Sequence, residues 1–150
     1  MAYGTPAHPD EIEAYYTHIR RGRPPTTEQL ANLTARYDAL GGTSTLAART
    51  RDQVASITSA LDQRAPGRYL VRLGQKHASP FIEDAVGGLA DDGATRIVGL
   101  VLAPHYSGAS VGEYQARAAE AAEAAGNAGG LPFAPIERWH DEPSYRDFLG

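Results

Sequence analysis

The run Arg96-Ile97-Val98-Gly99-Leu100-Val101-Leu102 constrains the fold more than any other stretch of the chain. Consecutive apolar side chains on a short segment need cover on both faces, which is the setting of a central parallel strand. Two further segments read as buried strands, Arg68-Tyr69-Leu70-Val71-Arg72-Leu73 and Phe133-Ala134-Pro135-Ile136-Glu137-Arg138-Trp139. The last is weakened by Pro135, which gives up a ladder donor and points to an edge or a bulge.

Helical patterns fill the intervals. Ile12, Tyr15, Tyr16 and Ile19 share one face of a first helix. Leu30, Leu33, Tyr37 and Leu40 mark a second, opened by Thr26 and Gln29 as a capping box. Gly41-Gly42 stops it, and Ser44 caps a third helix marked by Leu46, Thr50, Val54, Ile57 and Leu61. A fourth carries Phe81, Ile82, Ala85, Val86 and Leu89, with Ser79 as cap and Pro80 at the first helical position. The fifth starts at Ser110 and ends at Gly126, before a loop over 126–130. Asp141-Glu142-Pro143 opens a sixth. After residue 66 the order is strand, helix, strand, helix, strand, helix. That alternation predicts an α/β fold with a parallel sheet flanked by helices.

At 150 residues the chain suffices for one domain, burying roughly 68–70% of its unfolded surface. Its net charge of −4 argues against a nucleic-acid partner. It holds no cysteine, so it offers no disulfide, thiolate metal site or thiol nucleophile. No apolar run approaches the roughly 18 residues of a transmembrane segment, and a cytoplasmic location is expected. All but one of the 14 basic residues are Arg, Lys76 being the exception. Genome composition explains most of that bias, but guanidinium groups also grip carboxylates and phosphates better than ammonium groups do.

Open parallel sheets bind ligands beyond the carboxyl ends of their strands. Tyr3 closes an expected first strand, Lys76 and His77 follow the second, and His105 follows the third. Each alone reads as an ordinary structural or solvated side chain, and their convergence on one rim is what suggests a site. Of the other histidines, His18 has no assigned role, and His8 and His140 read as surface residues; none has HExxH or zinc-finger spacing. Arg20-Arg21-Gly22-Arg23 complements a helix C-terminus or, with Tyr15 and Tyr16 beside it, anchors an anionic small molecule. The amides after Gly41-Gly42-Thr43-Ser44 either start a helix or hold an anion. A Gly-x-Ser-x-Gly elbow is absent, and Ser107-Gly108-Ala109-Ser110 offers no serine-hydrolase site.

The words Met1-Ala2-Tyr3-Gly4-Thr5-Pro6 and Tyr15-Tyr16-Thr17-His18-Ile19-Arg20-Arg21-Gly22-Arg23 resemble the start of ferrochelatases of the bacterial coproporphyrin-using type. The resemblance continues through Arg36-Tyr37, Gly41-Gly42-Thr43-Ser44, Lys76-His77-Ala78-Ser79-Pro80-Phe81-Ile82-Glu83-Asp84-Ala85, Leu102-Ala103-Pro104-His105-Tyr106-Ser107 and Trp139-His140-Asp141-Glu142-Pro143. It runs in order over essentially the whole chain.

The resemblance implies a single lobe of the class II chelatase fold, residues 1–150 forming the N-terminal lobe, with most of the first strand and the second lobe missing. It implies insertion of Fe2+ into coproporphyrin III in haem biosynthesis, a lyase reaction with no organic cofactor and with Fe2+ as substrate. The partners implied are coproporphyrin III, Fe2+ and a second chelatase lobe. Tyr3 would be the axial ligand to the metal. Ile19, Arg20, Arg36, Tyr37, Ser44 and Tyr114 would line or anchor the porphyrin with it. The family's proton-accepting His and its partner Glu belong to the second lobe, so this segment holds no catalytic residue and is expected to be inactive alone. His77 and His105 match first-lobe histidines and do not take that role. Thr45 and Gln75 depart mildly from the family pattern. Two alternatives are a self-pairing half-chelatase and a non-catalytic porphyrin-binding lobe.

Overall fold

The computed structural model describes residues 1–125 and 129–150. The expected helix end at Gly126, and the loop as far as residue 128, lie outside the described residues. The chain divides into two compact units. A sheet unit comprises Met1–Ala2, Leu70–Gly74 and Pro80–Gly150, and a helical unit comprises Tyr3–Tyr69 and Gln75–Ser79.

In the sheet unit, β1 (Ile97–Leu100) and β2 (Phe133–Ile136) pair in parallel, with Ile97 opposite Phe133 and Gly99 opposite Pro135. Three helices accompany them, α4 (Ile82–Asp91), α5 (Glu113–Ala124) and α6 (Pro143–Leu149). The α/β character is as expected from the alternating pattern. The core gathers Ile82 and Val86 of α4, Ile97 and Val101, and Val111 with Tyr114. Ala118 and Ala122, 2% and 0% exposed, are the small residues that let the α5 backbone come close to this cluster. Arg117 of α5 grips Glu83 of α4 with two bonds of 2.7 Å, and that hydrogen bonding raises the guanidinium pKa further. Both partners are partly solvated, so the pair contributes at most about 1 kcal/mol.

The strands depart from expectation in three ways. The segment 68–73 forms no strand, and Tyr69 and Leu70 are each about half exposed. In the sheet unit Arg72 pairs with Asp92 at 2.7 Å, and Gly74, the residue after the segment, accepts the Ala2 amide at 3.1 Å, but one main-chain bond makes no ladder. β1 is not covered on both faces, since Val98 is 57% exposed. Successive strand side chains point to opposite faces, and α5 packs on the side that carries Ile97, Gly99 and Val101. β2 ends at Ile136 rather than Trp139. Trp139 and His140 leave the ladder to donate their amides to Pro104 O, at 3.0 and 3.1 Å, and the indole Nε1 donates to Val101 O at 3.0 Å. Met1 exchanges main-chain bonds with Leu100, the last residue of β1, and with Leu102.

Helix starts shift where a local acceptor outcompetes the expected cap. α4 begins after Phe81 rather than at Pro80, because the Asp84 carboxylate accepts the Phe81 amide at 2.9 Å. Ser79 is therefore not its cap; its carbonyl accepts from the Gln75 amide group at 2.6 Å. Ser110 does not open α5, since it lies inside a π-helical turn, Gly108–Gly112, and α5 follows from Glu113. Pro143 does start α6 as its first residue.

The helical unit holds α1 (Ile12–Ile19), α2 (Thr27–Asp38) and α3 (Leu46–Arg64), with a 3-10 turn at Pro9–Glu11 leading into the first. All three follow the apolar periodicity. The capping box on α2 is complete: Thr26 Oγ1 accepts from the Gln29 amide at 3.2 Å, and Gln29 Oε1 from the Thr26 amide at 3.0 Å. Ile12, 1% exposed, fixes α1, while Tyr37 of α2 and Thr50 of α3 are also buried. The cap of α3 differs from expectation. Thr45 occupies the cap position, and Ser44 Oγ instead accepts the Leu46 amide two residues on, at 3.1 Å.

Candidate functional site

The helical unit brings Tyr3 and His77 together, as strand-end reasoning expected. Tyr3 O accepts the His77 amide at 3.0 Å, and the phenol and imidazole rings lie 4.6 Å apart, tilted by 57°. The Tyr3 side of the pair stays open to solvent, at 44% exposure, as a group that must meet a ligand requires. Between them Gly4 makes the turn with φ +86°, and a Cβ there would sit 2.9 Å from the Ala78 amide nitrogen. Lys76, by contrast, is 9% exposed.

His18 was not singled out from the sequence, yet it completes this cluster. Its Nδ1 lies 3.0 Å from His77 Nδ1, and the two rings meet edge to face at 5.2 Å. A bond between two such nitrogens needs one ring protonated at Nδ1 and the other carrying its lone pair there. The signal available was helical spacing, since His18 follows Tyr15 by three residues and so shares its face of α1. Tyr15 in turn bonds to Tyr37. Burial pushes the Tyr37 phenol above its ordinary range, the Tyr15 bond opposes that rise, and Tyr3 adds to it. Tyr37 is thus held as a neutral phenol.

Ile19 ends α1, half-buried, and Arg20 follows it. The Arg20 guanidinium lies over the Tyr16 ring at 5.5 Å and its Nε donates to Arg23 O at 3.2 Å, so its fork is already oriented by two partners. The helix end is a Schellman motif: Gly22 donates to Thr17 O at 2.9 Å and Arg21 to His18 O at 3.0 Å. Arg21, with φ 57°, takes the left-handed position that usually goes to glycine. That conformation costs a residue with a Cβ about 1–2 kcal/mol. The substitution Arg21→Gly should therefore raise stability by about 1 kcal/mol, read as a higher denaturant midpoint at unchanged slope. A lowered midpoint would show that the Arg21 side chain contributes more than its backbone costs.

Arg36 stands exposed in the last turn of α2, and Ser44 lies half-buried before α3. Tyr114 belongs to the sheet unit, where it is 4% exposed within the core cluster. His105 also lies in that unit, stacked on His140 at 4.5 Å. His140, expected at the surface, keeps 31% of its side chain exposed, and its ring also approaches Pro104 O at 3.3 Å and Asp141 at 3.2 Å. His8 is exposed, as expected. Among the described residues, no group of three or more His, Asp or Glu is placed to hold a metal ion. No helix among them is long and apolar enough to cross a membrane.

A solvent-facing phenol beside an imidazole pair, with the oriented Arg20 guanidinium at the end of the helix that carries His18, suits a flat anionic ligand. Comparison with known proteins gives the family. The family model described as Ferrochelatase matches residues 1–149. The chain belongs to the ferrochelatase family. The coproporphyrin III ferrochelatase of Geobacillus kaustophilus is 46% identical over 149 residues, covering 99% of this chain and 46% of that protein. That of Bacillus subtilis is 47% identical over 146 residues, covering 97% and 46%. Coproporphyrin III ferrochelatase 1 of Bacillus cereus is 48% identical over the same length and shares. This ferrochelatase-family chain thus spans about half the length of the relatives it matches.

Proposed function

We propose that residues 1–150 act as the N-terminal, tyrosine-bearing lobe of a coproporphyrin III ferrochelatase, which inserts Fe2+ into coproporphyrin III in haem biosynthesis. The observation that carries the reading is the Tyr3–His77 pair, open to solvent, in a chain of this family. In this reading Tyr3 approaches the metal as axial ligand. Arg20 and Arg36 pair with propionates of the macrocycle, because a guanidinium fork matches a carboxylate edge-on. Ile19 supplies apolar contact, and Tyr37 and Ser44 complete the porphyrin-binding set of the helical unit; Tyr114, which the resemblance also implies, is enclosed in the core of the sheet unit. Tyr37, kept protonated by burial, acts as a hydrogen-bond donor and not as a base.

Insertion replaces two pyrrole N–H protons by one Fe2+, so a base must accept those protons. The proposal assigns that base to a second lobe, as the resemblance implies, and assigns none to residues 1–150. Fe2+ is substrate, no organic cofactor takes part, and the reaction is that of a lyase. A cytoplasmic location and the absence of a nucleic-acid partner rest on the sequence reading and belong to the proposal too.

The test is optical. The protein expressed from its complete reading frame is mixed anaerobically with coproporphyrin III, and the Soret band is followed before and after Fe2+ is added. A band shift followed by metalation faster than the protein-free control is expected. Arg20→Ala should weaken porphyrin binding by roughly 10- to 100-fold, the worth of one charge-assisted hydrogen-bond pair. A band shift with metalation no faster than the control would leave a porphyrin-binding protein that is not a chelatase. Binding that is indifferent to Arg20 would remove it from the site.

A further inference from the structure

We propose that His18 is a positioning residue for Tyr3, acting through His77; this rests on the proposed role of Tyr3 as axial ligand. Three observations lead there. Tyr3 is braced on one side by the His77 ring at 4.6 Å while 44% of it remains exposed, so the His77 ring helps set where its phenol points. His77 lies in the short segment Gln75–Ser79, which forms no helix or strand that would hold its ring. His18, in contrast, sits on α1, whose start is pinned by buried Ile12 and whose end is closed by the Schellman bonds.

The 3.0 Å bond between the two Nδ1 atoms therefore transfers the rigidity of a helix to an imidazole on a loop. The edge-to-face contact at 5.2 Å and 74° fixes the rotation of that imidazole about its own axis. A ligand that must present its oxygen to a metal within a few tenths of an ångström needs such support, because an unsupported ring samples several rotamers. Supporting partners of metal ligands commonly alter affinity without touching the metal. His18 meets that description: it contacts His77, and His77 contacts Tyr3.

The experiment uses iron(III) coproporphyrin III as probe, bound to the protein expressed from its complete reading frame. The readout is the phenolate-to-iron(III) charge-transfer band, with the iron–phenolate stretch in the resonance Raman spectrum as a second signature. Tyr3→Phe calibrates it by removing the ligand. His18→Leu should reduce the phenolate-ligated fraction roughly tenfold, as loss of a metal ligand's supporting partner does. His18→Asn, which places a polar atom near the lost Nδ1, should restore most of the band. Melting temperature should stay near wild type, because His18 is exposed. If His18→Leu keeps the full band while Tyr3→Phe abolishes it, the positioning role is overturned and the axial role of Tyr3 stands. If Tyr3→Phe leaves the wild-type spectrum unchanged, the axial role itself fails and the positioning role fails with it. A His18→Leu loss that Asn does not rescue overturns the hydrogen bond as the means of positioning.

Discussion

Replacing Gly99 by valine should destabilise the sheet unit by about 2–6 kcal/mol. A Cβ at that position would lie 2.3 Å from Gln115 Oε1 and 2.5 Å from the Phe133 ring. Neither neighbour has room to retreat. The Gln115 side chain is buried and its Nε2 donates to Gly99 O at 3.0 Å and to Ile136 O at 3.1 Å, so one amide clips β1 to β2. Valine would expel that amide and leave two strand carbonyls without their shared donor. Losing two hydrogen bonds costs about 1–3 kcal/mol in total and overpacking a dense core adds about 1–3 kcal/mol. Trp139, the single tryptophan, lies in the same unit with its indole on Val101 O, so its fluorescence should report the transition. In guanidinium titrations the midpoint should drop sharply for Gly99→Val and barely move for Val98→Ala on the open face. A shift below about 1 kcal/mol for Gly99→Val would show that Gln115 is not the clip.

The second large effect is expected at Gly4. Its φ of +86° is unfavourable for any residue with a Cβ, and here the Cβ would also meet the Ala78 amide nitrogen at 2.9 Å and the Gln75 Cβ at 3.1 Å. Backbone atoms cannot turn aside as a long side chain can. Strain and displacement together should cost about 2–4 kcal/mol for Gly4→Ala. The damage would fall on the site, because relieving the clash means separating Tyr3–Gly4 from residues 75–78. The Tyr3 O to His77 amide bond at 3.0 Å would be the first to break. Loss of the coproporphyrin Soret shift should therefore accompany the lowered midpoint. A Gly4→Ala protein that binds porphyrin as wild type does would show that the Tyr3–His77 register is not needed for binding.

Both predictions concern glycines inside segments whose neighbours were legible, and the contrast shows what local pattern carries. α1, α2 and α3 follow the spacing of Ile12, Tyr15 and Ile19, of Leu30, Leu33 and Tyr37, and of Leu46, Val54 and Ile57. Thr26 and Gln29 cap α2 as a sequence motif can, since both partners of a capping box lie within four residues. The starts of α4 and α5 moved because the deciding contacts were chosen among several nearby candidates. Asp84 accepted the Phe81 amide, and a π-helical turn took up Ser110. The strands were read too long for the same reason. An apolar run states that a segment can be buried, but a ladder requires a neighbour, and the segment 68–73 forms no strand.

Tyr3 and His77 could be paired from sequence because both follow strand-like segments, and strand ends gather on one rim. His18 could not, because it sits 59 positions from His77 and its own surroundings look like an ordinary helix face. Gln115 was likewise hidden in an alanine-rich helix. Nothing in the neighbours of His140 announces the His105 ring on which it stacks.

By itself, then, the sequence determined where the helices lie, the parallel α/β character and the family. Each of these depends on periodicity, on caps a few residues apart, or on words long enough to match relatives. Only the tertiary structure decided which strands found a ladder, which amide joins β1 to β2, and which imidazole braces Tyr3. Those are contacts between residues far apart in the chain, and side-chain polarity alone does not name the partner when several geometries would satisfy the same donor.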